Sequence, residues 1–442
     1  MGFLGNANLV DNKDSVTQLK NKILFTIFAL TLYRLGTYLP LPGINPDIFK
    51  QITEQNQSGV LGMLNMFSGG ALGRMTIFAL NVIPFITASI IMQLVSAASP
   101  QLSEMKKSGE EGRKKFTQLT RYFTVFLCLF QSYGISVGLE SMSVSAGAAV
   151  MYPGVFFKIT TVFALTGSVF FLIWLGDQIT NRGIGNGISL IIFAGIVSEL
   201  PSAFISTFEL GRTGVYSTLF ILFVIAIVIT MILIIVFFER SFRKVVIQYP
   251  NRSYQVRGMN NDSSYLPLKL NTAGVIPPIF ASSLLLFPIT IVSFGQEAST
   301  SGVASFVSRY LVHGKPLFML LYSALIMFFC FFYTALVFNS SDTADHLKKS
   351  GGFVPGVRPG TKTAEYLDNL LSRLTFVGAL YMIFVCIVPE IIIAKYSIPF
   401  YLGGTSLLIV VNVAIDTLSN VQTHMLSSRY NQMKKNKIRV RR

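Results

Sequence analysis

Val60-Leu-Gly-Met-Leu-Asn-Met-Phe-Ser-Gly-Gly-Ala-Leu-Gly-Arg74 runs directly into an apolar stretch of membrane-spanning length, residues 75–98. Gly69, Gly70 and Gly73 each weaken a helix, and Arg74 needs water or protein around its charge, so the first piece does not suit a lipid-facing span. It reads as a short re-entrant helix enclosed by protein, with a surface amphipathic helix as the alternative. A second interrupted apolar run, residues 271–294, carries Gly274, Pro277, Pro278 and Pro288. Broken apolar segments at matching places in two halves of a membrane protein point to the pathway through it.

Composition sets the class. Of 442 residues, 52% are hydrophobic and only 13% charged, and the mean hydropathy is +0.58. That excludes a soluble globular domain and predicts a polytopic helical membrane protein. The net charge of +16 would suit nucleic acid, but Lys and Arg concentrate in certain loops, which favours a topology signal or an anionic docking surface. Cys128, Cys330 and Cys386 lie in apolar runs at unrelated spacings and read as core residues, and His313, His346 and His424 are scattered. No metal site or cofactor is expected, and no GxxxxGK[ST] run signals nucleotide hydrolysis.

Residues 1–22 form a polar tail with Lys13, Lys20 and Lys22 and no signal-peptide cleavage pattern. Ten runs long enough to cross the hydrocarbon follow, at 23–39, 75–98, 119–139, 154–175, 188–207, 215–238, 271–294, 317–338, 374–394 and 400–421. With both termini cytoplasmic, most cations fall on the inner side and only Lys50, Arg212, Arg309, Lys315 and Lys395 on the outer, which is the bias that sets orientation. The short outer loop 208–214 divides the spans into an N-terminal half, 23–207, and a C-terminal half, 215–421; long inner loops occupy 239–270 and 339–372, and a basic tail 422–442. An odd number of spans per half inverts the second relative to the first, so the fold expected is all-α: two inverted five-helix halves around a central pore, with a re-entrant plug helix.

Gly183-Ile-Gly-Asn-Gly-Ile-Ser-Leu-Ile-Ile-Phe-Ala-Gly-Ile-Val197, with Asn65-Met-Phe-Ser-Gly-Gly-Ala-Leu72, closely resembles the SecY family, the pore subunit of the bacterial protein translocase. So do Lys269-Leu-Asn-Thr-Ala-Gly-Val-Ile-Pro277, Phe329-Cys-Phe-Phe-Tyr-Thr-Ala-Leu-Val-Phe-Asn339, Gly352-Phe-Val-Pro-Gly-Val-Arg-Pro-Gly360 and Gly403-Gly-Thr-Ser-Leu-Leu-Ile-Val-Val411. These motifs cover nearly the whole chain in family order.

The resemblance implies a protein-conducting channel of the bacterial inner membrane, sealed by a ring of Val82, Ile86, Ile188, Ile192, Ile279 and Ile409. Physics agrees with such a lining: a passage for unfolded polypeptide has to admit every side chain yet exclude ions, and an apolar constriction that dewets does both. Val82/Ile86 and Ile188/Ile192 are i,i+4 pairs, each on one helix face. The resemblance makes residues 60–74, with Asn65, Phe67, Gly69, Gly70 and Arg74, the plug. It also opens the pore sideways between the second and third spans and the seventh and eighth, releasing signal peptides and transmembrane segments into the lipid bilayer, with Thr87, Gln93, Asn186 and Phe287 as gate candidates.

The long basic loops present Arg243, Lys244, Arg252, Arg257, Lys348, Lys349 and Arg358, the last on a tip stiffened by proline and glycine. Their implied partners are the ribosome, whose RNA offers phosphates, and the SecA motor ATPase, with SecE and SecG as companion subunits. Two features depart from the family pattern, namely a second proline at Pro278 and an amide at Asn412, one turn from Ile409. If Asn412 faces the lumen, the seal is wetter. A secondary transporter is the alternative reading, but it needs ionisable groups inside the spans, and only Asp416 and Glu199 read as acids there.

Overall fold

The computed structural model describes residues 3–45, 48–49, 69–141, 143–144, 147–148, 150–214, 216–249, 264–294, 315–396 and 403–440. Ten long helices occupy the ten expected places. They are α1 (Phe3–Gly36), α2 (Ile83–Ala98), α4 (Glu110–Ser141), α5 (Val155–Arg182), α6 (Gly187–Arg212), α7 (Thr218–Arg240), α8 (Ile276–Phe294), α9 (Pro316–Val337), α11 (Thr361–Tyr396) and α12 (Gly404–Val440). Among the described residues, two further short helices, α3 (Pro100–Lys107) and α10 (Ser340–Lys349), lie between them. Five long helices precede the α6–α7 turn and five follow it, as the two-half architecture requires. Among the described residues, seven helices are by themselves long and apolar enough to cross a membrane, and an eighth such span arises if α2 and α3, bent by 112° at Ser99, are counted together.

Local sequence sets the helix ends. Asn186 accepts from the Ile188 and Ser189 amides to cap α6, Ser217 caps α7 through the Phe220 amide, and prolines stand in the first turn of α2, α3 and α9. The bundle is apolar on both sides. One continuous core runs through it, including Tyr33, Val169, Ile191, Ile326 and Met382, while Phe126, Phe163, Leu222, Leu233 and Phe237 face outward, as lipid contact demands. Without a hydrophobic drive between helices, close backbone approach matters more. A Cβ on Gly187 would run into the Gly176 carbonyl of α5, and one on Gly404 into the Val385 carbonyl of α11.

The structure departs from the expected spans in three places. Residues 75–98 were expected as one span, yet helix begins only at Ile83 and residues 69–82 are turns. Their backbone groups are met from elsewhere: Leu41 N donates to Met75 O, Ile77 N to Leu39 O, and Ser168 Oγ to Ile77 O. Met75 and Asn81, at φ 43° and 49°, make the corners. The re-entrant helix expected over 60–74 falls largely on residues 60–68, outside the described residues, and its described end, Gly69 to Arg74, is turn. Second, both expected tails are helical where described: residues 3–22 form the first part of α1, and residues 422–440 continue α12.

Third, the two long basic loops fold together. β1 (Ser143–Val144) and β2 (Gly147–Ala148) form one small antiparallel pair; in the basic loops, β3 (Phe242–Ile247) pairs antiparallel with β4 (Ser264–Lys269), and Gln248 bridges to Phe353 of the other loop. Val245, Leu268 and Val354 pack on Leu367 and Leu371 of α11 to form a second, smaller core. This core lies at the end of the bundle where α12 runs out, here termed the tail face; the opposite end is the far face.

A two-mouthed constriction as the candidate functional site

α6 serves as a ruler along the bundle axis: Asn186 stands at its tail-face end, Ile192 one and a half turns in, and Gly195 and Glu199 further toward the far face. At the level of Ile192 the helices converge on a neck of about 20 Å³ lined mainly by Val82, Ile83, Ile86, Ile192, Ile279 and Ile409, together with Asn81, Ser282 and Ser283. One water needs about 10–15 Å³ and several polar partners, so the neck has room for little more than a single poorly held molecule. Five of the six predicted ring residues are thus brought together. Val82 and Ile409 are 1% and 2% exposed. Ile188 stands apart, one turn earlier on α6, where its Cγ1 would lie 3.0 Å from a Cβ on Gly176 of α5.

Toward the tail face the neck opens into a chamber of about 320 Å³ that shares Ile192, Ile279 and Ile409 with it. Its upper wall is polar, with Asn186, Glu239, Asn271, Asn412 and Asp416. Asn412 faces this chamber beside Gly274 and is not among the residues lining the neck, so the polar group stands above the seal. The chamber narrowing to an apolar neck can admit a hydrated chain and strip water at one level only.

Sequence reasoning missed the polar knot at the chamber wall. Asn271 Nδ2 donates to Glu239 Oε1 at 2.6 Å and to Gly274 O, while Gly274 N donates back to Asn271 Oδ1 at 3.1 Å. This holds the non-helical lead into α8, where Gly274 sits at φ 64°. The expectation that only Asp416 and Glu199 are acids within the spans is corrected by Glu390 of α11, 5% exposed beside Gly403 at the start of α12; Glu239, outside the expected span, ends α7 at 9% exposure. Glu239 precedes Arg240 and reads as a loop acid; its burial depends on Asn271, 32 residues away.

At the far mouth, Arg34 Nη1 donates to Gly69 O at 2.7 Å, and a Cβ on Gly69 would come within 2.8 Å of Gly195 Cα on α6. Gly70 and Arg74 belong to the same turn; Asn65 and Phe67 lie outside the described residues. Of the gate candidates, Thr87 is buried on α2 and bonds its own helix at Ile83 O, and Gln93 Nε2 reaches Ser89 Oγ at 3.3 Å. α8 packs against both α2 and α4, closing the seam between the halves. Asn186 is at the chamber, capping α6, and does not join Thr87 and Gln93. Phe287 belongs to α8, but its side chain is outside the described residues.

The tail-face body gathers Arg243 and Lys244 on β3, Lys348 and Lys349 at the end of α10, and Arg358 on the loop leading to α11, all exposed. Thr363 Oγ1 donates to Arg358 O and stiffens that loop. Arg252 and Arg257 lie outside the described residues.

A family model described as SecY matches residues 76–418. The chain is 54% identical over 424 residues to a protein of Rickettsia bellii named protein translocase subunit SecY, covering 96% of this chain and 98% of that one. Among solved structures it resembles one titled as the structure of a protein conducting channel, at TM-score 0.68 and 18% identity with 93% of each chain covered. It also resembles canine Sec61 in a ribosome–channel complex, at TM-score 0.65 and 18% identity over 93% of each chain.

Proposed function

Because the chain belongs to the SecY family, we propose that it is the channel-forming subunit through which unfolded secretory polypeptides cross a bacterial inner membrane. The observation that carries this reading is the apolar neck beneath a polar chamber. A fixed charge or hydrogen-bond code at the narrowest level would trap some sequences. Aliphatic side chains hold none and yield to any chain pushed through, and in its absence they leave no column of water for ions. Val82, Ile86, Ile192, Ile279 and Ile409 are that seal, Ile188 supports it from α5's side, and the segment 60–74 is the plug that backs it.

In this reading the α2–α8 seam is where signal peptides and transmembrane segments of nascent chains leave for lipid. Interhelical polar contacts of roughly 0.6–2 kcal/mol are strong enough to hold such a seam and weak enough for a hydrophobic helix to displace. The termini and the basic body are cytoplasmic, in keeping with the bias of Lys and Arg. That body is the docking platform for the ribosome and the SecA ATPase, whereas SecE and SecG bind the bundle's lipid-facing flanks. The chain performs no bond chemistry of its own.

The test places a cysteine at Ile279 and at Phe163 in turn and arrests a secretory precursor in mid-transit. A thiol cross-linker should join the precursor to position 279 and not to the lipid-facing position 163. Equal labelling of both, together with uptake of a small solute, would favour a transporter.

A further inference from the structure

The tail-face chamber has a polar wall, and the acid buried in that wall is only half satisfied. Glu239 is 9% exposed and lines the chamber. One carboxylate oxygen accepts from Asn271 Nδ2 at 2.6 Å, and among the described residues no protein group donates to the other. Lys269 and Asp416 share the lining, yet among the described residues neither acid stands in an ion pair. A buried carboxylate with an oxygen to spare favours a cation beside it. The chain as a whole carries a net charge of +16, but the charged lining here is two acids against one lysine. The facing wall is apolar, built from Val275, Ile276 and Ile279 at the start of α8 and from Val337 of α9. Along α12, Ile409, Val413 and Asp416 line the chamber at helical spacing, which sets the Asp416 carboxylate about 10 Å above the neck.

We propose that the chamber is a binding site for a single-chain amphiphilic amine, its ammonium held by Glu239 and Asp416 and its alkyl chain laid along the α8–α9 wall down to Ile409. At about 320 Å³ the chamber has the size that encloses small organic ligands, and it offers the mixture such sites use, a broad apolar surface with a few convergent polar groups. An inorganic cation would keep its water and gain nothing from the apolar wall. A fatty acid of the same length would bring like charge to the two carboxylates. The amine alone satisfies both walls, because its head completes the hydrogen bonding of Glu239 with a charge-assisted bond and its tail covers Val275, Ile276 and Ile279. Binding does not depend on what the chain conducts. That the bound amine stands in the path of a secretory polypeptide rests on the channel reading above.

The experiment places the full chain with its companion subunits in lipid nanodiscs and measures binding of radiolabelled n-decylamine, with the uptake of empty nanodiscs subtracted. The parent should bind a single amine per chain saturably, and neither n-decanoate nor n-decanol should compete. Glu239→Gln should weaken binding about ten-fold, as expected for loss of a charge-assisted hydrogen bond to a buried group. Asp416→Asn should weaken it about two- to five-fold, the range of an exposed ion pair. Asp416 is exposed, so its variant reads the site even if Glu239→Gln fails to fold. Binding no greater than in empty nanodiscs, equal competition by n-decanol, or parental affinity in both variants would overturn the site. A secretory precursor arrested in mid-transit should displace the amine. Saturable binding that the precursor left untouched would uphold the amine site and count against the channel reading instead.

Discussion

Asn271 donates to Glu239 at 2.6 Å, and the pair, at 5% and 9% exposure, ties the end of α7 to the lead of α8. α8 is the helix whose contact with α2 and α4 closes the seam between the halves, so the bond fixes the root of that helix and, in the function proposed above, of one side of the gate.

Replacing Asn271 with Ala removes the donor and leaves a buried carboxylate short of a partner, at a cost of about 1–3 kcal/mol. Glu239→Gln keeps an acceptor oxygen at the same place and should cost less. Thermal unfolding in detergent should rank the proteins parent, Glu239→Gln, Asn271→Ala in falling order; three coincident transitions would mean that the bond contributes nothing measurable.

Ile409→Asn puts an amide into the neck one turn from Asn412, which already lines the chamber above it. Water gains polar anchors at the narrowest level, so resting conductance should rise and precursors with weak signals should be accepted. Ile409 also lines the wider chamber, so an amide there can reach water and costs less than a polar group in dry core. A variant that unfolds early in detergent and shows no added conductance would identify Ile409 as a packing residue.

Arg358→Glu inverts an exposed charge on the stiffened tail-face loop. Stability should change by no more than about 0.5 kcal/mol, as for other surface sites, while SecA-driven transport falls several-fold. Normal transport rates at limiting SecA would remove Arg358 from the docking surface.

Gly404→Ala forces a methyl group against the Val385 carbonyl of α11, where a Cβ has no room. Overpacking of this kind costs about 1–3 kcal/mol. Gly167→Ala in α5, where a Cβ meets nothing within 4 Å, is the matched control and should be neutral or slightly stabilising. Equal midpoints for the two variants would show that α11 and α12 yield freely at this crossing.

The ten long helices were legible because a lipid-facing helix has to be apolar on every side, and Leu222, Leu233 and Phe237 of α7 illustrate that pattern. Residues 75–82 misled for the same reason. They are as apolar as the helix that follows, but their amides and carbonyls are taken by Leu39, Leu41 and Ser168, partners that hydropathy does not register. Five of the residues that the family register and i,i+4 spacing assigned to a ring line one cavity, whereas Ile188 shares that spacing but turns to Gly176. Asn186 was open to a better reading, because an asparagine just before an apolar periodic run is a capping signal. The Glu239–Asn271 bond and the β3–β4 hairpin join residues far apart in sequence, and no local pattern announces either.

The small tail-face core has a mechanical consequence. Leu367 and Leu371, which anchor the basic body, are on α11, a single helix of 36 residues that continues through the bundle to pack on α9 and α12. At 1.5 Å per residue its stretch from Thr361 to the internal Pro389 is a rod about 43 Å long. A load applied at Arg358 therefore reaches the membrane interior along one strut rather than through a flexible tether, and that strut lies against α12, the helix that contributes Ile409 to the neck.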